Sequence, residues 1–354
     1  MFTTKLLTRT VSILSVFVLA LSGVNPAFAA PSNDNFADAT QITNLPFNVT
    51  TNTTGATFEA TEPTPGCWFG YPLETVWYAY TPPTSSALTV LLNYPGLVGI
   101  YTGNSVDSLG SIGCAPYYYG QFSFIAQAGV TYYFQLSDIY GNETPFPFTL
   151  EVTPLPTAGI CFGPSDPSVF DNMGFGDCSN DPGNFGFQSF TWNFGDGTTL
   201  NTTNCCVNHQ YAKDGDYTVQ HGVTTVDGRT ASTSQVVQVR TKDVAITSFS
   251  VPQTARVNQT KTINVSIQNK RYSDYVQVNL YKGLPGGGEQ LIGTLTIYVP
   301  AKARQATTFK FSYTFTSQDA TVGKVTFRAD AQIINGRDAF ISDNTAIATT
   351  LVSR

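Results

Sequence analysis

Residues 190–197 read Phe-Thr-Trp-Asn-Phe-Gly-Asp-Gly, and this stretch decides the fold of the chain around it. Its aromatic residues occupy every second position, so their rings share one face of a β-strand and are expected to point into a core. Two glycines flank an aspartate directly after that strand. Asp-Gly is a strong hairpin signal, because glycine adopts positive φ without steric cost. The stretch therefore predicts a strand and a tight turn, with a structural role.

The same kind of signal recurs along the rest of the chain. Short β-branched and aromatic runs alternate with clusters of Gly, Pro, Asn and Asp, and helical periodicity is almost missing. This pattern is typical of all-β sandwiches. We predict an all-β protein with three consecutive β-sandwich domains, Ig-like or jelly-roll-like, after a signal peptide. The predicted domains cover residues 31–153, 158–241 and 242–354.

The first 29 residues have the features of a secretory signal peptide. Lys5 and Arg9 precede an apolar run over residues 11–24, and Ala27 and Ala29 have the spacing that signal peptidase prefers. The run is shorter than the ~20 apolar residues of a membrane-spanning helix. We therefore expect a secreted protein, extracellular or at the cell surface, with no membrane insertion.

The composition argues against some classes of partner and of chemistry. The net charge is −6, and loss of the leader, which holds two cations and no acid, brings it to −8. An acidic chain attracts polyanions poorly, so no nucleic acid partner is expected. The sequence has two His and no nucleophile elbow, zinc-peptidase motif or phosphate loop. We predict that it is not an enzyme; a carboxylate-dependent glycosidase is the remaining catalytic alternative.

Three motifs follow one another in the second predicted domain. They are Trp192–Gly197, His209–Tyr211 and Gly215–Val219. In this order they resemble the polycystic kidney disease (PKD) domain of the bacterial secreted type, a small Ig-like β-sandwich. Tyr217 also has the position of a tyrosine corner, whose hydroxyl bonds to nearby backbone. The resemblance implies a structural role for the motif residues, which are Trp192, Phe194, Gly195, Asp196, Gly197, His209, Tyr211 and Tyr217.

Calcium is the one candidate cofactor, and no other is expected. Some PKD domains of secreted bacterial proteins bind calcium through an Asp-Pro-Asp-Gly loop, whereas residues 181–184 here read Asp-Pro-Gly-Asn. The second carboxylate is replaced, although Asn184 offers an amide oxygen and Asp227 lies where another ligand would come. Calcium takes six to eight oxygen ligands. Asp181, Asn184 and Asp227 are therefore candidate calcium ligands, with a solvated turn as the alternative.

The outer domains carry further resemblances. The first is similar to bacterial pre-peptidase C-terminal (PPC)-like domains in "NDNFADATQI", "ETVWYAYTPP" and "AGVTYYFQL". Such β-sandwiches often accompany secreted peptidases and resemble collagen- or polymer-binding modules. The third is similar to Ig-like adhesion-type (CARDB-like) domains in its strand pattern and in "DVAITSFSVP".

The six cysteines are expected to form disulfides, since an even count in an exported chain favours them. We predict a bridge between Cys67 and Cys114, and two bridges within the second domain. Adjacent cysteines in a strand point to opposite faces, so Cys205 and Cys206 are not expected to bond each other. Each is instead expected to bond one of the remaining two, in either order, which are Cys161 and Cys178.

Aromatic residues follow both cysteines of the first predicted bridge, in segments whose Gly and Pro residues mark loops. Flat rings on rigid loops bind sugar rings or proline-rich chains, because they bury apolar area without heavy desolvation. The alternative is that these rings pack over the end of the sandwich. The candidate binding residues are Trp68, Phe69, Tyr71, Tyr117, Tyr118 and Tyr119.

Together these features predict a secreted, non-catalytic interaction protein with an adhesion or scaffold role. Its partner would be an extracellular polymer: a polysaccharide, a matrix protein or a cell-surface protein. The alternative is an accessory subunit that targets a separately encoded secreted peptidase or glycosidase.

Overall fold

The structure, a computed structural model, describes residues 29–70, 74–115, 120–140, 144–302 and 304–354. Residues 1–28 of the predicted signal peptide lie outside these ranges. The described chain forms two compact units, the first ending at Thr153 and the second running from Pro154 to Arg354. No helix among the described residues is long and apolar enough to cross a membrane.

The first unit is a sandwich of two sheets. Its strands are β1 (Thr40–Ile42), β2 (Phe47–Thr51), β3 (Thr75–Tyr80), β4 (Ser86–Leu92), β5 (Gly96–Thr102), β6 (Gly110–Ala115), β7 (Gln121–Ala126), β8 (Tyr132–Asp138) and β9 (Phe146–Val152). One sheet has the order β1-β3-β8-β5-β6 and the other β2-β9-β4-β7. Short 3₁₀ helices at Phe36–Asp38 and Val106–Ser108 complete the unit.

Strand β3 is buried on both of its faces. Val76 and Tyr78 belong to the core between the two sheets. Trp77 points the other way, where its ring meets that of Phe36 edge-on at 5.3 Å between centroids. Trp77 is fully buried, as the sequence predicts for a residue in the middle of this apolar strand.

The second sandwich lies in the second unit and contains the opening stretch. Its strands are β10 (Ile160–Gly163), β11 (Met173–Asp177), β12 (Phe187–Asn193), β13 (Thr199–Thr202), β14 (Cys206–His209), β15 (Gly215–Thr225) and β16 (Thr230–Val239). They form the sheets β10-β11-β14 and β13-β12-β15-β16. Side chains from both sheets, including Phe175, Trp192 and Val219, make the core.

The third sandwich follows in the same unit. Its elements are β17 (Val244–Ser250), β18 (Thr254–Arg256), β19 (Thr260–Asn269), β20 (Asp274–Gly283), β21 (Glu289–Val299), β22 (Thr307–Thr314), helix α1 (Ser317–Val322), β23 (Lys324–Ile333), a 3₁₀ helix at Ile341–Asp343 and β24 (Thr345–Ser353). The sheets are β17-β19-β22 and β18-β24-β23-β20-β21. In β22, Phe309, Phe311 and Tyr313 are buried while the residues between them are exposed, so one face of this strand lies on the core and the other faces solvent.

The fold class predicted from the sequence, three consecutive β-sandwiches, is confirmed by these sheets. The boundary between the last two domains stays a prediction, because both sandwiches lie within one compact unit.

Candidate functional site

The turn after β12 is a structural element. Gly195 has a φ of +81°, and a Cβ there would lie 2.7 Å from the carbonyl oxygen of Thr218, so only glycine fits. Trp192 and Phe194 are each 2% exposed, and both rings contact Phe175. The stretch therefore closes a strand over the core, and its two aromatic rings are not available to a ligand.

The other motif residues hold this turn in place through hydrogen bonds and ring contacts. Asp196 contacts His209 at 2.8 Å, and the His209 ring stacks on Phe194 with centroids 4.1 Å apart. The Tyr211 hydroxyl donates to the Phe194 carbonyl oxygen at 2.9 Å. The Tyr217 hydroxyl donates to the Lys213 carbonyl oxygen at 2.8 Å, which is the backbone contact predicted for a tyrosine corner.

His221 has a larger structural role than the sequence suggested. It is 1% exposed, its ring stacks on Trp192 with centroids 3.8 Å apart, and its Nε2 lies 3.0 Å from a carboxylate oxygen of Asp177. The signal was present in the strand alternation, because His221 shares the inward face of β15 with Val219 and Val223. Both histidines are thus held in ring stacks with a carboxylate partner.

The two carboxylates proposed as calcium ligands bind an arginine instead. Arg229 lies 2.7 Å from Asp181 and 2.6 Å from Asp227. The Asp181 carboxylate also accepts backbone N–H groups, from Phe185 at 2.8 Å and Gly186 at 3.1 Å. An internal cation thus neutralises both acids, which favours the alternative of a turn without calcium.

The backbone at Asn184 belongs to the same turn. Asn184 adopts a left-handed conformation with φ of 56°, and its N–H donates to the Asp181 carbonyl oxygen at 3.1 Å, which closes a turn. Across the described ranges, no group of three or more His, Cys, Asp or Glu side chains could hold a metal ion.

The disulfides match the prediction in the first unit but not in the second. Cys67 bonds Cys114, with Cα atoms 6.1 Å apart, as predicted. The expectation that Cys205 and Cys206 each bond one of the other two was wrong. Cys161 bonds Cys178 at a Cα distance of 5.7 Å, because β10 pairs with β11 and brings the two cysteines together. Cys205 and Cys206 are unbonded and exposed.

The Cys67–Cys114 bridge carries the described part of the predicted aromatic platform. Phe69 is 95% exposed, whereas Trp68 is half-buried. A Cβ at Gly70 would collide with the Trp68 indole, so the indole lies against the glycine backbone and Phe69 projects into solvent. The remaining candidates, Tyr71 and Tyr117–Tyr119, lie outside the described residues.

Charge is distributed unevenly along the sequence. After Arg9, the next cation in the printed sequence is Lys213. Residues 30–153 contain carboxylates but no Lys, Arg or His. The field around the first unit is therefore negative without compensation, which favours neutral or cationic ligands over anionic ones.

Comparison with known proteins gives one family match. Residues 163–240 match the family model described as the PKD domain, and the resemblance predicted from the motifs is confirmed for this segment. No curated protein matches the chain.

Several solved structures resemble parts of the chain. The CARDB domain of a Pyrococcus furiosus protein, in complex with di-metal ions, is 17% identical with a TM-score of 0.27, covering 32% of this chain and 90% of that one. Fibronectin(III)-like modules of Clostridium thermocellum CbhA are 12% identical with a TM-score of 0.32, covering 55% and 93%. Three N-terminal domains of the bacteriophage RB49 outer capsid protein Hoc are 12% identical with a TM-score of 0.37, covering 77% and 95%.

Proposed function

We propose that this protein is a secreted, non-catalytic binding protein whose first unit holds a neutral extracellular polymer at the aromatic loop beside the Cys67–Cys114 bridge. The polymer is an uncharged polysaccharide or a proline-rich protein, and the role is adhesion or scaffolding. The observation that carries the proposal is the 95% exposure of Phe69 on a loop anchored by a disulfide.

An exposed ring on an anchored loop suits a binding role for energetic reasons. Full burial of a Phe side chain contributes about 1.5–3 kcal/mol. A loop already fixed by a covalent bridge loses little conformational entropy when the ligand arrives. A ring face also packs against sugar rings or prolines without desolvating charged groups.

The charge distribution narrows the class of polymer. Residues 30–153 offer no cation to an acidic polysaccharide or to another polyanion. A neutral chain with hydroxyl groups or prolines has no such conflict, and its binding would vary little with salt.

Two further observations support an extracellular role without catalysis. The two disulfides are of a kind that persists in oxidising compartments. His209 and His221 are both held by carboxylates and stacked on core rings, an arrangement that supports a structural role for both.

The test is adsorption of the secreted protein to insoluble cellulose, chitin, collagen and an anionic alginate gel. We expect binding to at least one neutral polymer, and Phe69→Ala should weaken it roughly ten-fold or more, as about 1.4 kcal/mol corresponds to ten-fold. Tyr275→Ala is the matched control, since it removes an aromatic ring that is 53% exposed on the third sandwich. Equal adsorption of Phe69→Ala and wild type, or preference for alginate, would contradict the proposal.

A further inference from the structure

Cys205 and Cys206 form an adjacent pair of exposed thiols whose Sγ atoms lie 3.2 Å apart. The rule that neighbouring strand residues point to opposite faces does not separate them, because β14 begins at Cys206 and Cys205 lies in the bend before it. The sequence-based expectation of opposite faces was wrong for this reason. The backbone at this bend brings the two thiols together.

Backbone hydrogen bonds hold the pair from both sides. The Cys205 carbonyl oxygen accepts the Asp177 N–H at 2.9 Å, and Cys206 pairs with Gly176 across the antiparallel sheet. The Asn204 N–H donates to the Thr202 hydroxyl at 3.0 Å. The short distance between the sulfur atoms therefore belongs to a segment anchored in the sheet.

The other cysteines leave this pair without an alternative partner in the chain. Cys67 is bonded to Cys114, and Cys161 to Cys178. The sequence contains six cysteines, so each of the two remaining thiols has only its neighbour as an intramolecular partner.

We propose that Cys205 and Cys206 are joined by a vicinal disulfide in the oxidised protein, closing an eight-membered ring around the peptide bond between them. The oxidant is a disulfide, either a small molecule or the active disulfide of an extracellular thiol oxidase. One thiol loses its proton, and the thiolate attacks the oxidant to form a mixed disulfide and release one thiolate. The second protein thiolate then attacks the protein sulfur of that mixed disulfide and releases the other. The protein loses two electrons and two protons, and the oxidant leaves as two thiols.

The bond changes the chemistry of the surface where it lies. The pair borders an open depression lined also by Asp177, Phe187, Phe190 and Thr203. Two free thiols there would exchange with Cys161–Cys178 or cross-link two chains, since exposed thiolates attack disulfides. The vicinal bond consumes both thiols, so neither of them can form a disulfide with a second chain.

The test is thiol mapping of the full secreted chain after incubation with oxidised glutathione. The sample is quenched in acid, denatured, treated with N-ethylmaleimide and digested with pepsin, because trypsin has no cleavage site between Arg9 and Lys213. We expect the peptide with Cys205 and Cys206 to carry no label and to be about 2 Da lighter than after reduction, since a disulfide holds two fewer hydrogens than two thiols. Two labels, a glutathione adduct, or a link to any other cysteine would overturn the proposal.

Two cysteine variants serve as controls. N-ethylmaleimide reacts with the denatured chain, so the labelling step itself does not depend on whether a variant is folded. In Cys205→Ser no neighbouring thiol can displace glutathione from Cys206, so Cys206 should carry either one label or one glutathione, and the double variant Cys205→Ser/Cys206→Ser should carry neither. If the thiols were free, the wild type would instead carry one label more than Cys205→Ser.

Discussion

Arg229 contacts two buried carboxylates of the second sandwich, and substitution of this residue tests whether it neutralises their charge. The side chains of Arg229, Asp181 and Asp227 are 11%, 5% and 1% exposed. Arg229→Gln keeps a similar length and an amide donor but removes the charge. The substitution therefore leaves two carboxylates buried without a cation.

We expect this change to cost about 3–5 kcal/mol, the usual effect of removing one partner from a buried ion pair. The lost contact of the guanidinium with the Phe185 ring, 5.4 Å from its centroid, adds only about 0.5–1 kcal/mol. Most of the loss thus comes from the uncompensated charge. It is a large share of the roughly 5–15 kcal/mol that stabilises a typical domain.

The response to pH supplies a second signature. Burial raises the pKa of Asp227, but hydrogen bonds from Arg229 and Thr225 outweigh burial and the pKa is lowered. A lowered pKa stabilises the fold above the unfolded value of about 3.9, and that contribution is lost as the pH falls through the folded pKa. In Arg229→Gln only burial and the weaker hydrogen bonds remain, so the pKa rises. The variant should therefore become more stable as the pH falls from 7 to 4, whereas the wild type loses the contribution of Asp227 as the pH falls.

Calorimetry of the full chain measures both effects through the melting of the unit that contains Arg229. The control is Arg328→Gln, whose partners Glu289 and Asp330 are 38% and 30% exposed, and which should cost far less than Arg229→Gln. Added calcium should not change the wild-type melting temperature, since Arg229 already neutralises both acids. The reasoning fails if the two substitutions cost the same, or if calcium stabilises the wild type.

Three further changes follow from the same structure. Trp192→Ala should destabilise the second sandwich by about 3–5 kcal/mol, as a large core ring is lost, and the urea midpoint of that transition would report it. Asp196→Ala should cost only about 1 kcal/mol, because its contact with His209 is partly exposed, and polymer adsorption should be unchanged. Burial above all raises the pKa of Glu62, despite hydrogen bonds from Trp77 and others. Stability of the first unit should therefore fall as the pH rises through that raised pKa, and Glu62→Gln should flatten this dependence in melting curves between pH 4 and 7.

The fold could be predicted because it follows from local patterns. Alternation places Phe190 and Trp192 on one face of β12, and two positive-φ glycines follow at Gly195 and Gly197. These features need no knowledge of distant residues. The PKD motifs extend the same logic, since each of them describes a strand, a turn or a ring stack of one sandwich.

The candidate site could be predicted only in part, because charges and cysteines choose partners in three dimensions. Asp181 and Asp227 were predicted as candidate calcium ligands, but the cation that contacts both is Arg229, two residues after Asp227 in the printed sequence. The cysteine pairing failed because β10 pairs with β11 and brings Cys161 and Cys178 together. In both cases the residue types indicated the kind of interaction, but the sequence alone did not identify the bonding partner.

The two units stabilise their buried acids by different means, and this difference bears on the proposed function. In the first unit the Asp34 carboxylate accepts the Thr57 N–H and hydroxyl, and Glu62 accepts the Trp77 indole N–H at 2.8 Å. In the second unit, Arg229 and Lys282 balance buried aspartates. Neutral donors stabilise a carboxylate but leave its charge uncancelled, so the ionised acids of the first unit add to its negative field. The loop with Phe69 belongs to this unit, so the neutral polymer proposed above is more compatible with that field than an acidic polymer would be.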